Sequence, residues 1–361
     1  MLKDVIDLAA VKRVLVIKLR HHGDVLLTSP VFSVLKQHAP HAELDALVYH
    51  DTRDMITQHP AVSRVFTIDR QWKKLGMFGQ LQAELALLAR LRGRHYDLVV
   101  HLTEHKRGAW LTRLLKPRWA VARSGNYGKF FARSFTHRYP IVAGNRRHTV
   151  ELHLDALRRI GIQPGPDERA LTLVPGANAE AVAGARLTAL GLESQRYILI
   201  HPTSRWLFKT WPVQHMASLI DALTARGEQV LLTAAPDPAE LAMLEQIQQE
   251  LARPVASLAG QLTLKELAAV IDQARLFVGM DSVPMHMAAA LQTPTVALFG
   301  PSGDIEWGPW KVPHRVLTEP LSCRPCGRDG CGGGKVSECL TLIGPERVLA
   351  AIDDVLAEVG A

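Results

Sequence analysis

Short, nearly continuous runs of aliphatic and β-branched residues recur along the chain. Each is followed by a polar turn and then by apolar residues at helical spacing, and this alternation calls for a parallel sheet covered by helices. The first run, residues 13–19, reads Arg-Val-Leu-Val-Ile-Lys-Leu and leads through a polar turn into a helix over 25–38. Residues 43–49, 64–68 and 96–102 read as further strands, with a long Leu- and Ala-rich helix over 75–91. Residues 148–160 have helical spacing that stops at Gly161, and the Pro- and Gly-rich segment 163–169 reads as a connection. The alternation then restarts, with strands over 197–201, 229–234, 276–279 and 295–299 and helices over 212–226, 238–251, 264–271 and 285–291. Two Rossmann-like α/β domains are expected, 1–165 and 166–361. The sequence leaves open whether the last helix, 345–359, packs back on the N-terminal domain.

A chain of 361 residues with 47% hydrophobic and 21% charged residues is globular in composition, which excludes a disordered or fibrous protein. Its first ten residues lack the basic start and apolar core of a secretory signal. Nowhere does an apolar run approach the roughly 20 residues that span a bilayer. The expectation is a cytoplasmic protein whose membrane contact is peripheral, with its four cysteines reduced.

The net charge of +7 hides a strong polarity. Residues 1–150 carry 25 Lys/Arg against 11 Asp/Glu, and residues 151–361 carry 17 against 24. Between His105 and Arg147 stand eleven basic side chains and no acid. A field of this kind attracts a polyanion: nucleic acid, an anionic membrane or a phosphorylated substrate.

In open parallel sheets, ligands bind at the carboxyl ends of strands, so the turns after them are searched first. In Arg20-His-His-Gly-Asp24 the aspartate sits at the mouth of a helix, where it serves either chemistry or an N-cap. In His201-Pro-Thr-Ser-Arg-Trp-Leu-Phe-Lys209, the hydroxyls of Thr203 and Ser204 and the Lys209 ammonium are the parts of a phosphate cradle; the alternative is a capped turn with a solvated lysine. In Gly279-Met-Asp-Ser-Val-Pro-Met-His286, Asp281 and Ser282 turn the chain and Pro284 starts a helix whose N-terminus faces an anion while Asp281 accepts from sugar hydroxyls, or the turn is simply well capped. Gly300-Pro-Ser302 is a fourth such turn. Cys323, Cys326, Cys331 and Cys339 either hold zinc, pack a loop as thiols or form an adventitious disulfide. No Gly-x-Gly-x-x-Gly follows the first strand and no Walker A sequence occurs, against dehydrogenase and P-loop readings.

Taken in order, Leu19-Arg-His-His-Gly-Asp-Val-Leu-Leu-Thr-Ser-Pro30, His201-Pro-Thr-Ser with Lys209-x-Trp-Pro212, Gly279-Met-Asp-Ser with His286-Met-Ala-Ala-Ala290, Phe299-Gly-Pro301 and the cysteine-rich tail make a specific pattern. It resembles the ADP-heptose:lipopolysaccharide heptosyltransferases over nearly the whole chain, and within them the enzymes that add the branching core heptose. The resemblance implies a GT-B architecture: two Rossmann-like domains with a cleft between them, acceptor on the N-terminal side and ADP-heptose on the C-terminal side.

By the same resemblance Asp24 is the general base of an inverting transfer. Thr203, Ser204, Lys209, Asp281, Ser282, Val283 and His286 hold the donor, with Lys209 offsetting charge on the leaving ADP. The phosphorylated, lipid A-linked inner core falls to the basic half, where Arg20, Arg107, Arg123, Arg133 and Arg147 are the acceptor candidates. Pro284, which has no N–H, departs from the small residue usual in the family after the aspartate. No metal or other cofactor is required, with magnesium left as an assistant. Other core heptosyltransferase steps, or another GT-B nucleotide-sugar transferase, share these motifs. A basic nucleic-acid-binding protein is the reading from another class: Trp110, Trp119, Tyr127, Phe130, Phe131 and Phe135 interleave the basic run. No RNA-binding signature accompanies them, so no nucleic-acid partner is expected.

Overall fold

Strands made of Val, Leu and Ile bury both faces, and the most aliphatic runs lie at the middle of two separate parallel sheets. The computed structural model describes residues 4–125, 128–140, 144 and 146–360; Tyr127 lies outside them. The chain divides into two compact units, Met1–Leu173 and Val174–Ala361.

In the first unit the strands are β1 (Arg13–Lys18), β2 (Glu43–Tyr49), β3 (Arg64–Ile68), β4 (Leu98–His101), β5 (Trp119–Arg123) and β6 (His137–Tyr139). Its helices are α1 (His22–Leu26), α2 (Ser29–His38), α3 (Gly76–Arg92), α4 (Lys106–Leu115), α5 (Gly128–Ala132) and α6 (Thr149–Arg159). The sheet order is β3-β2-β1-β4-β5-β6, all parallel, with Val14 of β1 opposite Leu44 on one side and Leu98 on the other. Leu15, Ile17, Leu47 and Val99 pack one face of this sheet against Leu87 and Leu91 of α3 and Ala109 of α4. Asp45, fully buried in β2, is satisfied by the Arg94 guanidinium at 2.7 Å and by the Tyr96 hydroxyl, which donates at 2.8 Å.

Two sequence expectations change here. The helix expected over 25–38 is broken into α1 and α2, because Pro30 brings no N–H to the first turn of α2 and the Thr28 hydroxyl donates back to the Val25 carbonyl at 2.6 Å. The acid-free basic run folds into α4, β5, α5 and β6, continuing the alternation. Its arginines and lysines interrupt the apolar periodicity, and only Ala120, Val121 and Ala122 of β5 are fully buried.

The second unit repeats the arrangement with β7 (Tyr197–His201), β8 (Gln229–Leu232), β9 (Ala256–Ser257), β10 (Leu276–Met280), β11 (Thr295–Leu298) and β12 (His314–Leu317), in the order β12-β11-β10-β7-β8-β9. Its helices are α7 (Ala177–Ala189), α8 (Val213–Ala225), α9 (Pro238–Glu250), α10 (Leu264–Asp272), α11 (Val283–Ala290), α12 (Asp304–Trp307), α13 (Glu338–Thr341) and α14 (Pro345–Gly360). Val348, Ala351, Ile352 and Val355 of α14 join the core of the second unit. Fully buried Trp211 pins the start of that helix, its indole N–H donating to the Ile343 carbonyl at 3.0 Å.

The connection expected at 163–169 lies within the first unit, where Glu168 faces His38 of α2 at 3.2 Å. Among the described residues no helix is long and apolar enough to cross a membrane.

Candidate active site

In each sheet the strand order reverses once, between β1 and β4 in the first unit and between β7 and β10 in the second. At such a reversal the following helices leave to opposite faces and open a crevice at the carboxyl ends of the two strands. Three of the four turns singled out in the sequence leave from these strand ends, and the fourth, at Gly300, follows β11.

In the first unit β1 ends at Lys18, a lysine buried within the sheet edge. Its ammonium donates to the Leu102 carbonyl at 3.2 Å and to His153 Nε2 at 2.9 Å, and it faces Asp24 Oδ1 at 3.4 Å. His153 Nδ1 lies 3.0 Å from the Leu27 carbonyl, which only accepts, so Nδ1 carries the proton and Nε2 is the acceptor for Lys18. Burial holds the His153 imidazole well below its usual range, with the Lys18 charge adding to the effect, and the ring is neutral. Burial also lowers the Lys18 pKa, while the Asp24 carboxylate works against that.

Asp24 is not a helix cap. The N-cap of α1 is His21, and Asp24 lies in the first turn with its carboxylate turned to Lys18 and about a fifth exposed. Leu19 N–H donates to Thr103 Oγ1 at 2.8 Å and ties the turn after β1 to the turn after β4.

Beside them, His101 at the end of β4 is fully enclosed, and burial pushes its imidazole down to about 3. Among the described residues neither of its ring nitrogens has a hydrogen-bond partner. Gly108 of α4 makes this possible: a Cβ there would stand 1.8 Å from His101 Nε2. The rings of Phe131 and Phe135 line the other side at 5.7 and 5.2 Å.

The acceptor candidates are distributed. Arg20 and Arg123 meet at one carboxylate, that of Glu104, with Arg20 at 3.9 Å. Arg107 is paired with Glu84 of α3, and Arg147 with Asp155 of α6, which Arg158 also contacts at 2.8 Å. Arg133 is exposed just beyond α5.

In the second unit Gly279 and His201 stand opposite each other on β10 and β7. A Cβ at Gly279 would meet the Phe277 ring at 2.7 Å and the His201 carbonyl at 3.2 Å, so glycine lets the two strand ends approach. The turns that follow are joined by Lys209, whose ammonium contacts Asp281 Oδ2 at 2.7 Å. Ser282 is the N-cap residue of α11, with Val283 first in the helix and Pro284 in its opening turn. His286 is buried in the same helix, its ring edge-on to Trp307.

Thr203 is fully buried, and its hydroxyl donates to Glu240 Oε2 at 2.6 Å; Ser204 Oγ accepts from the Trp206 N–H at 3.4 Å. His201 contacts Thr233 Oγ1 through Nδ1 at 3.0 Å, and burial pushes its imidazole down to about 4. The fourth turn is covered by the cysteine-rich tail: Arg324 Nε donates to the Gly300 carbonyl at 2.6 Å. All four cysteines are free thiols, with Cys339 buried, and no three metal-ligating groups converge among the described residues.

Sequence reasoning missed Lys18, His153 and Glu240. Lys18 looks like the polar end of a strand and Glu240 like an ordinary first-turn acid of α9, and the only signal is that each is a charged residue buried by the fold. A lysine one residue before the strand's last leucine, six before a candidate aspartate, is the clue available without coordinates.

Residues 84–336 match the family described as Glycosyltransferase family 9 (heptosyltransferase). The chain is similar to lipopolysaccharide heptosyltransferase 3 of Escherichia coli, with 37% identity over 295 residues, 81% of this chain and 84% of that protein. It is also similar to the solved family 9 glycosyl transferase of Veillonella parvula, with a TM-score of 0.82 at 22% identity over 96% of this chain and 98% of that one. The E. coli heptosyltransferase WaaC with ADP gives a TM-score of 0.73 at 23% identity over 95% and 99% of the two chains. These likenesses give the fold as α/β of GT-B architecture. With 37% identity to a heptosyltransferase over most of its length and a family match across both units, the chain belongs to glycosyltransferase family 9, the heptosyltransferases.

Proposed function

We propose that the protein transfers a heptose from ADP-heptose to a heptose of the phosphorylated, lipid A-linked lipopolysaccharide inner core, the branching step, with inversion at the anomeric carbon. The similarity to heptosyltransferase 3 supports the choice of step. The observation that carries the chemistry is Asp24: a partly exposed carboxylate at the reversal point of the first sheet, turned to a buried lysine instead of capping its helix. It takes the proton from the acceptor hydroxyl as the oxygen bonds to the anomeric carbon and the bond to ADP breaks. Lys18 positions that carboxylate.

On the donor side, Lys209 exchanges its contact with Asp281 for the pyrophosphate and offsets the charge growing on ADP. Asp281 is then released to accept from heptose hydroxyls. The amides of Ser282 and Val283 at the start of α11 and the hydroxyl of Ser204 complete the anion site. Thr203 already donates to Glu240, so its contribution is to hold that carboxylate in place. Arg20 and Arg123, which meet at the Glu104 carboxylate in the turn after β4, receive acceptor phosphate. No resident metal is needed for this assignment, and transfer is expected to survive EDTA with little change in rate. Work at the cytoplasmic face of the inner membrane, in peripheral contact with anionic lipid, follows from a lipid-linked acceptor.

Asp24→Asn tests the assignment. Transfer is expected to fall by roughly 10²–10⁴-fold, as for loss of a general base, with ADP-heptose affinity by calorimetry nearly unchanged. Equal loss of both would make Asp24 structural. Supplying cores of defined truncation tests the step: transfer is expected onto a core bearing two heptoses, and transfer onto a heptose-free core refutes it.

A further inference from the structure

The exposed face of α3 is apolar. Met77, Phe78, Leu81 and Leu85 are 77%, 82%, 54% and 55% exposed, and Leu75, just before the helix, is 56% exposed. Their spacing puts them on one stripe, on a different side of the helix from the buried Leu87 and Leu91. Beside it α4 presents Trp110, 56% exposed, and Leu114 one turn on. The two helices are linked by the Arg107–Glu84 pair. This surface is built on regular helices, with Phe78 and Met77 the most exposed side chains, which is costly for a face left in water.

The charges around it are of one sign. Glu84 is the only acid between Arg70 and Tyr96, and Arg107 offsets it. Lys73 and Lys74 precede the stripe, Arg92 continues it seven residues beyond Leu85, and Lys106 and Arg113 flank Trp110; all five are exposed. A second copy of the same face would bring these cations against one another, so the complementary partner is anionic. An apolar helical stripe rimmed by lysine and arginine is the pattern of a helix lying in the plane of a lipid interface.

We propose that the α3 stripe with Trp110 is the surface by which the protein docks on an anionic lipid bilayer. Phe78, Met77 and Leu81 enter the headgroup boundary, and the basic rim meets lipid phosphate. This deepens the reading of a lipid-linked acceptor given above and rests on it for its purpose, not for its geometry.

Flotation of the full chain with vesicles tests it. The protein is expected to float with phosphatidylethanolamine and phosphatidylglycerol vesicles and not with phosphatidylcholine alone. Phe78→Ser with Leu81→Ser is expected to weaken binding at least roughly tenfold. Lys73→Glu with Lys74→Glu is expected to remove the preference for anionic vesicles. Transfer to a deacylated, water-soluble core without vesicles is expected to be unchanged in both variants, which shows that they are folded.

Undiminished flotation of the serine variant overturns the proposal. So does a wild type that ignores anionic vesicles, or a wild-type oligomer that the serine variant disperses without loss of lipid binding. Lipid docking through the stripe by a protein that transfers heptose to no core would leave this surface standing and sink the transferase step, and the reverse result would do the opposite.

Discussion

Lys18 lies at the centre of a short chain of contacts running from the Leu27 carbonyl through His153 and the lysine to Asp24. Because His153 is neutral, the only full charge that the lysine answers in this chain is that of the carboxylate. Replacing it by methionine leaves an acceptor on His153 and a carboxylate without their donor, a loss of about 1–3 kcal/mol in stability. In the folded Lys18→Met variant, kcat is expected to fall by roughly 10–100-fold while the KM for ADP-heptose stays near its original value. An unchanged kcat with lowered stability would make the lysine purely structural. Asp24, Lys209 and Asp281 were legible in the sequence because each stands in a turn after an apolar run. His153 was not, since it reads as one more position on an amphipathic helix and its partner is 135 residues away.

At the scale of elements, β4 and α4 meet through His101 and Gly108, and this contact makes the first sheet sensitive to acid. The imidazole titrates at about 3 in the fold against 6.5 when free, so between those values only the unfolded chain takes up the proton. Stability contributed by the neutral ring is complete above pH ~6.5 and is lost as pH falls toward 3, about 2 kcal/mol for this group by pH 5. Urea midpoints at pH 7 and pH 5 are expected to differ less in His101→Gln than in the parent, and an identical difference would remove His101 as the cause. The strands richest in aliphatic residues, β1, β2, β7 and β10, were plain in the sequence. The elements of the basic run were not, because β5 and β6 are short and closed by arginine or alternate with it, and their burial comes from neighbouring strands. The break between α1 and α2 depends on a proline whose effect the continuous apolar spacing conceals.

Across the whole molecule the charge is uneven, with 25 Lys/Arg against 11 Asp/Glu in residues 1–150 and 17 against 24 in residues 151–361. The basic half is expected to draw a phosphorylated acceptor over distances comparable to the Debye length, about 10 Å at 0.1 M salt and 3 Å at 1 M. Raising salt over that range should therefore raise the acceptor KM several-fold, as loss of long-range steering predicts, with a smaller change in donor KM. Equal shifts in both, read from initial rates, would show that the charge polarity plays no part in acceptor capture. The two units were legible because the strand and helix alternation stops near residue 161 and begins again. That α14 joins the core of the second unit was not, since an apolar stripe does not say which elements it packs on.

The shared strand order has an evolutionary corollary. Where both crevices form at a reversal of direction, the loops that read a ligand are not the strands that supply the core. Residues 19–28 and 102–107 can therefore change by substitution at the rim while the interior of that sheet, and all of the second unit, stays as it is. A changed ligand preference is thus reached through a handful of turn residues, the variation that such a frame tolerates most readily.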